Sequence, residues 1–239
     1  YLNTSGVKLS DRGYRKMPYK APLREALAAG LILTSDYDGA GPFVSPMCGS
    51  GTLAIEAALI AQNRAPGLLR SNFGFRHVMG FNDPAWQDLR HEARQKGSKT
   101  LAAPIVASDI SEEAIAAAMQ NAKTAGVDHL IDFHVCDFAD TPIPEGDGTV
   151  IVNPEYGERI GNTTELEATY RRIGDFFKQQ CIGYTAYLFT GNLDLAKKVG
   201  LRASRRFPFF NGKIDCRLLK YEMYKGTREE YGKDFPEAG

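Results

Sequence analysis

The length and composition of the chain are those of an ordinary globular protein. Its 239 residues are enough for one sizeable domain with a well-buried core, with or without an appended piece. Hydrophobic residues make up 43% and charged residues 24%, which does not indicate a disordered or fibrous protein. Lysine plus arginine and aspartate plus glutamate both total 29, so the net charge gives no indication of a nucleic-acid partner.

The spacing of cysteine and histidine argues against a metal site. Cys48, Cys136, Cys181 and Cys216 form no C-x-x-C pair, which suits reduced thiols in a cytoplasmic protein. The four histidines lack ligand spacing as well. No stretch of the sequence resembles a signal peptide or is an apolar run of bilayer length, so we expect no membrane partner. The cysteine and histidine spacing leads us to expect no metal. Because the first residue is Tyr1, we expect the chain to be a fragment of a longer protein.

Basic residues are concentrated in two places. Residues 1–30 hold six basic residues against Asp11 and Glu25, which gives this segment a net charge of +4. A second cluster has no acidic residue within it and consists of Arg202, Arg205, Arg206 and Lys213. Each cluster either contacts phosphates or forms a solvated face.

The hydrophobic pattern divides the chain into a basic N-terminal segment with the first helix (1–30), a main domain (31–222) and a polar tail (223–239). The first predicted elements, in chain order, are a loop (1–20), a helix (21–33), a strand (42–46), a glycine turn (47–51), a helix (52–62) and an insertion (64–100) with one helix (84–96). The first helix has Pro22 in its first turn. Its predicted apolar face is formed by Leu23, Ala26, Leu27 and Leu31.

Strands and helices alternate regularly in the rest of the chain. They are predicted as a strand (103–109), a helix (111–126), two strands (131–137 and 148–154), a helix (165–180), a strand (184–191) and a short helix (193–200). Two β-rich runs joined by Asn211-Gly212 predict a closing hairpin. This order predicts an α/β fold with a parallel sheet and one antiparallel strand. It resembles the Rossmann-like class I S-adenosylmethionine-dependent methyltransferases, which have a seven-stranded sheet with a reversed last strand.

Doubly wound sheets bind ligands beyond the carboxyl ends of their strands, so these ends are the first candidates for a site. The first strand ends in SPMCGSGTL, from Ser45 to Leu53. Gly49 and Gly51 would let a ligand approach the backbone, and the following helix offers free N–H groups to a carboxylate or phosphate. Glycines in this position also serve simply for tight packing.

Acidic residues end the next two strands. Asp109 can accept hydrogen bonds from both hydroxyls of a ribose. Asp137 can accept one from an adenine amino group, with Phe138 flanking the ring. The alternatives are a capping role for Asp109 and a turn role for Asp137. The glycine turn, Asp109 and Asp137 on three successive strand ends together indicate one adenosine-containing ligand.

The fourth strand ends in Asn153-Pro154-Glu155-Tyr156. An exocyclic amine conjugated to a ring is a poor nucleophile, because its lone pair is delocalised. The amide oxygen of Asn153 and the carbonyl of Pro154 can accept its hydrogens, while Tyr156 stacks on the extruded base. The alternative is an ordinary turn formed by Asn-Pro.

These residues resemble the catalytic domain of the bacterial 23S ribosomal RNA guanine-N2 methyltransferases, which follow a THUMP RNA-binding domain. The resemblance covers roughly residues 6–222. It rests on the stretches SGVKLSDRGYR, APLREALAA, PMCGSGTLAIEAA, NRAPGLLRSNFGF, SDISEEAIAAAMQNAKTAGV, NPEYGER and NGKIDCRLLKY. It implies S-adenosylmethionine as methyl donor, a guanosine of large-subunit ribosomal RNA as acceptor, and an upstream THUMP-type domain. Members are often labelled N6-adenine-specific DNA methylases, because Asn-Pro-Pro-Tyr is shared with those enzymes.

The resemblance assigns roles to individual residues. The cofactor-binding residues that it implies are Met47, Gly49, Ser50, Gly51, Asp109, Asp137 and Phe138. Our candidate cofactor-binding set also includes their neighbours and the end of the fourth strand, namely Ser45, Pro46, Cys48, Thr52, Ile110 and Asn153. By the resemblance, Asn153, Pro154 and Tyr156 hold the base, and Glu155, which stands between them, completes our candidate catalytic set. The candidate RNA contacts are Arg12, Arg15, Lys16, Lys20 and Arg159.

Two residues depart from the family pattern. Ser45 stands where an aspartate is usual, which predicts weaker contacts near the methionine group of the donor. Glu155 stands where a second proline is usual. A carboxylate beside the base would favour guanine, which presents N1–H and N2–H₂ as donors, over adenine, which presents an acceptor at N1. Alternatively, Glu155 points to solvent or pairs with Arg159.

Two other functions remain open on the sequence. A DNA adenine-N6 or cytosine-N4 methyltransferase would share the fold and the donor. A catalytically degenerate RNA-binding module would explain Ser45 and Glu155 as lost function. Measurable donor affinity would count against the second alternative.

Overall fold

The computed structural model of the chain describes residues 3–20, 22–156 and 163–224. Its centre is a seven-stranded sheet in the order β3-β2-β1-β4-β5-β7-β6. The strands are β1 (Phe43–Pro46), β2 (Ile105–Asp109), β3 (Ile131–Val135), β4 (Thr149–Val152), β5 (Thr185–Thr190), β6 (Arg205–Asn211) and β7 (Ile214–Glu222). Strands β1 to β5 are parallel, and β7 pairs antiparallel with both β5 and β6. The predicted fold class, with its reversed last strand, is confirmed.

Helices cover both faces of the sheet. They are α1 (Glu25–Thr34), α2 (Thr52–Ala61), α3 (Asp83–Gln95), α4 (Glu112–Ala125), α5 (Thr163–Gln180) and α6 (Leu193–Lys198). Side chains of α1, α2 and α4 pack with one face of the strands, and those of α5 and α6 pack with the other. Because both faces are covered, β1 and β4 are buried throughout, which explains their continuous apolar sequences.

The first helix differs from its prediction. It begins at Glu25, so Leu23 precedes it, and Ala26 is exposed. Leu31 is buried as predicted, but Ala28 and Ile32 share the buried face with it in place of Ala26, because the helix packs on α2 and the sheet at a different rotation from the one predicted. The helix also continues to Thr34, across the boundary expected at residue 30.

The predicted closing hairpin is present, with its turn displaced by one residue. Asn211 pairs with Ile214 across the hairpin, so Gly212 and Lys213 form the two-residue loop. Gly212 has φ +66°, while Lys213 is not among the residues with positive φ. A positive φ at the first loop position alone is the pattern of a type II′ turn. Asn211 is therefore the last residue of β6 rather than a turn residue.

Candidate active site

The glycine turn after β1 has three residues in the left-handed region of backbone conformation. Met47, Gly49 and Gly51 have φ angles of 58°, 55° and 81°. A Cβ on Gly51 would lie 2.8 Å from Cβ of Ala118, whereas a Cβ on Gly49 would meet nothing within 4 Å. Gly51 therefore serves the packing of α2 on α4, and Gly49 leaves open space where a ligand can approach the main chain.

Hydrogen bonds join the first three strand ends into one edge. Asp109 accepts from the main-chain N–H of Gly49 at 2.9 Å and from that of Ser111 at 3.0 Å. The N–H of Cys48 donates to Ser108, and the N–H of Cys136 donates to the carbonyl of Asp109. Ser111 caps α4, as predicted, so Asp109 supports both the helix start and the glycine turn. Its ribose-binding role stays a prediction.

The end of β3 is built around an ion pair that was not predicted. Arg172 on α5 donates to the Asp137 carboxylate at 2.7 Å. Burial alone would raise the pKa of Asp137, but hydrogen bonds from the Ala139 N–H and Arg172 hold it below its ordinary value. Phe138 is buried against Phe176, and the Arg172 guanidinium lies 4.8 Å from its ring centroid. This packing leaves little of the Phe138 ring available to flank an adenine.

The residues at this edge fit a nucleoside. Ile110 exposes 73% of its surface directly after Asp109, which offers an apolar face for a base. Gly49 leaves room at the main chain, and its N–H is already fixed by Asp109. The buried Oδ1 of Asn153 has no hydrogen-bond partner in the described part of the chain. A buried polar oxygen without a partner is costly, which is typical of an atom that binds a ligand.

Asn153-Pro154-Glu155-Tyr156 follows β4 and is held from two sides. On one side, the Tyr170 hydroxyl lies 2.9 Å from the Thr190 hydroxyl and donates to the Glu155 carbonyl at 3.5 Å. On the other, the Asn211 side-chain amide donates to the Tyr156 hydroxyl at 2.9 Å. Burial raises the pKa of Tyr156 to about 12, so its phenol is neutral at pH 7. A neutral ring suits stacking and hydrogen bonding rather than proton abstraction.

The Glu155 side chain pairs with Lys20 of the N-terminal segment, at 3.2 Å. The two side chains are 47% and 59% exposed, so the pair lies at the rim of the site. The hydrogen bond to Glu155 raises the pKa of Lys20. Arg159, the partner considered from the sequence and a candidate RNA contact, lies outside the described residues.

Four of the candidate RNA contacts lie in the described residues. Two of their side chains pair with buried carboxylates, and the other two are exposed. Arg12 pairs at 2.7 Å with the buried Glu56, and Arg15 pairs at 3.6 Å with the buried Glu25. These two arginines have structural partners, whereas Lys16 and Lys20 are exposed. An RNA-binding role for the four residues stays a prediction, and the contacts favour it for the two lysines.

The second basic cluster does not gather at the site. Arg205 and Arg206 begin β6, at the amino edge of the parallel strands, whereas Lys213 is in the hairpin turn at the carboxyl edge. Only Lys213 therefore lies on the side of the sheet that carries the site.

Four further side chains at the site were not predicted from the sequence. They are Asn121, Tyr170, Arg172 and Asn211. The fully buried Asn121 accepts from the N–H groups of Lys16 and Met17 and donates to the carbonyl of Ser50. An amide on the apolar face of α4 was a signal for this role. The other three carried no such signal.

Within the described ranges, no three His, Cys, Asp or Glu side chains gather in a way that could hold a metal ion. None of the helices in those ranges is long and apolar enough to cross a membrane.

The fold and the four strand ends define a class I methyltransferase. The family model described as "UPF0020: RMKL-like, methyltransferase domain" matches residues 12–220, and the chain belongs to that family. Ribosomal RNA large subunit methyltransferase K/L of Syntrophotalea carbinolica is 39% identical to this chain in an alignment 248 residues long. The alignment covers 99% of this chain and 34% of that protein.

Two solved structures are similar over most of the chain. SMU.472, crystallised with S-adenosylhomocysteine, is 28% identical with a TM-score of 0.86, and the match covers 94% of this chain and 58% of that one. A chain from Listeria monocytogenes str. 4b F2365, described as a predicted N6-adenine-specific DNA methylase, is 33% identical with a TM-score of 0.82. That match covers 92% of this chain and 56% of that one. The chain therefore spans about a third of the K/L relative and little more than half of the two solved chains.

Proposed function

We propose that this chain methylates the exocyclic N2 amine of a guanosine in 23S ribosomal RNA. The observation that carries the proposal is the buried Asn153 Oδ1, which lacks a partner in the described residues at the end of β4. Tyr156 lies three residues further along, held by Asn211. An unpaired acceptor beside a fixed aromatic ring is suited to one base with an exposed amine.

The methyl donor of this family is S-adenosylmethionine, as the sequence predicted. When bound, it would supply an electrophilic methyl group: the carbon–sulfur bond breaks, the sulfonium becomes a neutral thioether, and the amine nitrogen bonds the methyl group and releases one proton to water. The residues that would hold it are the Gly49 main chain, Asp109, Ile110 and Asp137. This edge has the open space and the acceptors that such a ligand needs.

Asn153 and Pro154 act on the acceptor amine. Their oxygens accept hydrogen bonds from the N–H₂ group, which turns the nitrogen lone pair toward the methyl group. Neither oxygen needs to ionise, so this contribution is independent of pH near neutrality. The protein thereby contributes alignment and polarisation, in a site where the partners are fixed before the base arrives.

Glu155 is the candidate for guanine selection. Its carboxylate stands at the rim beside the base-binding residues, held by Lys20 at 3.2 Å. With the N2 amine held by Asn153 and Pro154, a carboxylate accepts a hydrogen bond from the neighbouring N1–H of guanine and repels the N1 acceptor of adenine. The ion pair with Lys20 orients the Glu155 carboxylate. The carboxylate can still accept a hydrogen bond from the base, because Lys20 donates to one of its two oxygens and leaves the other.

Ribosomal RNA as the substrate is supported by the name of the K/L relative and by the exposed Lys16 and Lys20 beside the site. The chain covers only a third of that relative, so we assign most of the RNA affinity to a separate domain of the THUMP type. The exposed lysines then act locally on phosphates.

A DNA adenine-N6 methyltransferase is the second candidate, and the description of the Listeria structure favours it. The experiment incubates the protein with labelled S-adenosylmethionine and either unmodified 23S RNA or DNA, then identifies the labelled nucleoside. We expect label in N2-methylguanosine. Label in N6-methyladenine would overturn the proposal in favour of the second candidate, and the absence of both donor binding and methyl transfer would favour a degenerate module.

The role of Glu155 is tested with RNA that carries guanine or adenine at the mapped position. We expect Glu155→Gln to lower the guanine preference about 10- to 100-fold, the worth of one charge-assisted hydrogen bond. Lys16→Gln is the matched control, because it changes the charge of an exposed side chain without touching Glu155. An unchanged preference in Glu155→Gln would assign Glu155 to the rim ion pair alone.

A further inference from the structure

The ring of Tyr156 is held on three sides by residues that come from other strands. A Cβ on Gly191 would lie 2.9 Å from the ring, so the ring packs directly on the main chain after β5. Phe189 meets it edge-on, with centroids 6.3 Å apart. The Tyr156 hydroxyl accepts a hydrogen bond from the Asn211 amide at 2.9 Å and lies 3.8 Å from Sγ of Cys216.

Asn211 is not needed for the hairpin turn. The loop consists of Gly212 and Lys213, and Asn211 pairs with Ile214 as an ordinary strand residue. Its side chain is half-buried and is directed at the Tyr156 hydroxyl rather than at its own backbone. Asparagine has low preference for strands, so its presence there calls for a reason other than local conformation.

We infer that Asn211 is a positioning residue for methyl transfer, and that the end of the β6–β7 hairpin forms one wall of the acceptor-base pocket. This inference rests on the proposed function, since it assumes that the base stacks on Tyr156. The hydrogen bond fixes the plane of the ring. The plane of the ring in turn fixes the plane of the stacked base, and hence the direction of its amine.

The wall continues beyond the hydrogen bond. A Cβ on Gly191 would also lie 2.7 Å from Cγ2 of Ile214, so Ile214 and Tyr156 lie side by side over the same main chain. Ile214 is 47% exposed. The hairpin therefore presents an apolar side chain next to the ring and an amide to its hydroxyl.

The test combines Asn211→Leu, Asn211→Asp and Tyr156→Phe, with Glu222→Gln as the matched hairpin control, because Glu222 is exposed on β7 at the amino edge of the sheet, away from the site. Asn211→Leu keeps the branching and the number of side-chain heavy atoms but loses the hydrogen bond, so we expect kcat to fall about 3- to 10-fold, the range for one neutral hydrogen bond, with little change in KM. In Asn211→Asp the Tyr156 hydroxyl can donate to the carboxylate, so we expect kcat to recover at least half of that loss. Glu222→Gln retains the wild-type kcat.

The double variant separates positioning from a structural role. In the Tyr156→Phe background, Asn211→Leu has no further effect on kcat if it acts through the hydroxyl. Multiplicative effects, an unchanged kcat in Asn211→Leu, or a loss of kcat that follows the melting temperature would each overturn the inference.

A readout without substrate distinguishes failure of this inference from failure of the proposed function. In protein labelled with ¹³C-tyrosine, we expect Asn211→Leu to shift the ring signals of Tyr156, identified by their absence in Tyr156→Phe. Unshifted signals would overturn the inference whatever the substrate is. If wild-type protein labels another base, the proposed function fails, while the kcat comparison among the variants is made on that base.

Discussion

The two halves of the candidate site are built in different ways. The donor half, at the ends of β1, β2 and β3, is mainly main chain fixed by hydrogen bonds between neighbouring strands. The acceptor half, at the end of β4, depends on individual side chains brought from distant parts of the chain. Side-chain changes should therefore be tolerated in the donor half more readily than in the acceptor half, unless they alter backbone conformation or leave a buried charge.

The largest expected loss of stability concerns the ion pair between Arg12 and Glu56 of α2, the helix that follows the glycine turn of the donor half. In Arg12→Ala the Glu56 carboxylate, 2% exposed, loses its ion-pair partner. We expect the free energy of unfolding to fall by about 3–5 kcal/mol, as for other broken buried pairs. Urea denaturation at pH 7 measures it, and Lys16→Ala, on the exposed side of the same segment, should stay within about 0.5 kcal/mol.

The pH dependence of that loss has a definite sign. Burial raises the pKa of Glu56, while Arg12 and Tyr14 lower it, and removing Arg12 raises it further. The folded variant then binds more protons than the unfolded chain at a pH above the ordinary glutamate pKa, so its stability falls as pH rises. The difference between variant and wild type should accordingly be smaller at pH 5 than at pH 7. A difference that grows on acidification would contradict the buried ion pair.

The largest expected loss of activity without loss of stability lies in the acceptor half. Asn153→Ala removes an oxygen that has no partner in the described residues, so the melting temperature should not fall. We expect kcat to fall about 100- to 1,000-fold, as when one preorganised polar contact to a reacting group is removed. Affinity for S-adenosylhomocysteine, measured by calorimetry, should change less than kcat. A wild-type kcat would remove Asn153 from the chemistry.

Effects of intermediate size are expected for the two glycines of the glycine turn after β1, on stability for one and on ligand affinity for the other. Both glycines have a positive φ, so an alanine at either position carries the cost of a left-handed residue. Gly51→Ala also places a Cβ 2.8 Å from that of Ala118, so we expect a further stability loss of about 1–3 kcal/mol from overpacking. Gly49→Ala meets no atom within 4 Å, so its cost is chiefly about 1 kcal/mol for a left-handed residue. Its effect should fall on S-adenosylhomocysteine affinity instead. Equal affinity in wild type and Gly49→Ala would place the ligand elsewhere.

The smallest expected effect is that of Ser45→Ala. The Ser45 hydroxyl is fully buried and has no partner in the described portion of the chain, so removing it should change stability by less than about 1 kcal/mol. If Ser45 contacts the donor, as the sequence predicts, affinity for S-adenosylhomocysteine should weaken about 5-fold. Unchanged affinity would leave Ser45 as a packing residue.

The sequence by itself determined the order of strands and helices and the strand ends that carry the donor half. These features depend on periodicity, caps and turns that extend over only a few residues, and Asp109 lies beside Gly49 because parallel neighbouring strands end at one edge. The placement of Asn153 and Tyr156 followed from the same rule.

Tertiary structure alone decided which side chains hold the acceptor half and which face inward. Lys20 and Glu155 are 135 positions apart, and Asn211 and Tyr156 are 55 apart, so no short pattern links them. Arg12 and Lys16 look alike in a basic segment, yet only Arg12 meets a buried carboxylate. Helix rotation, strand order and the position of the hairpin turn set these contacts, because each depends on packing between elements rather than on the local preference of one.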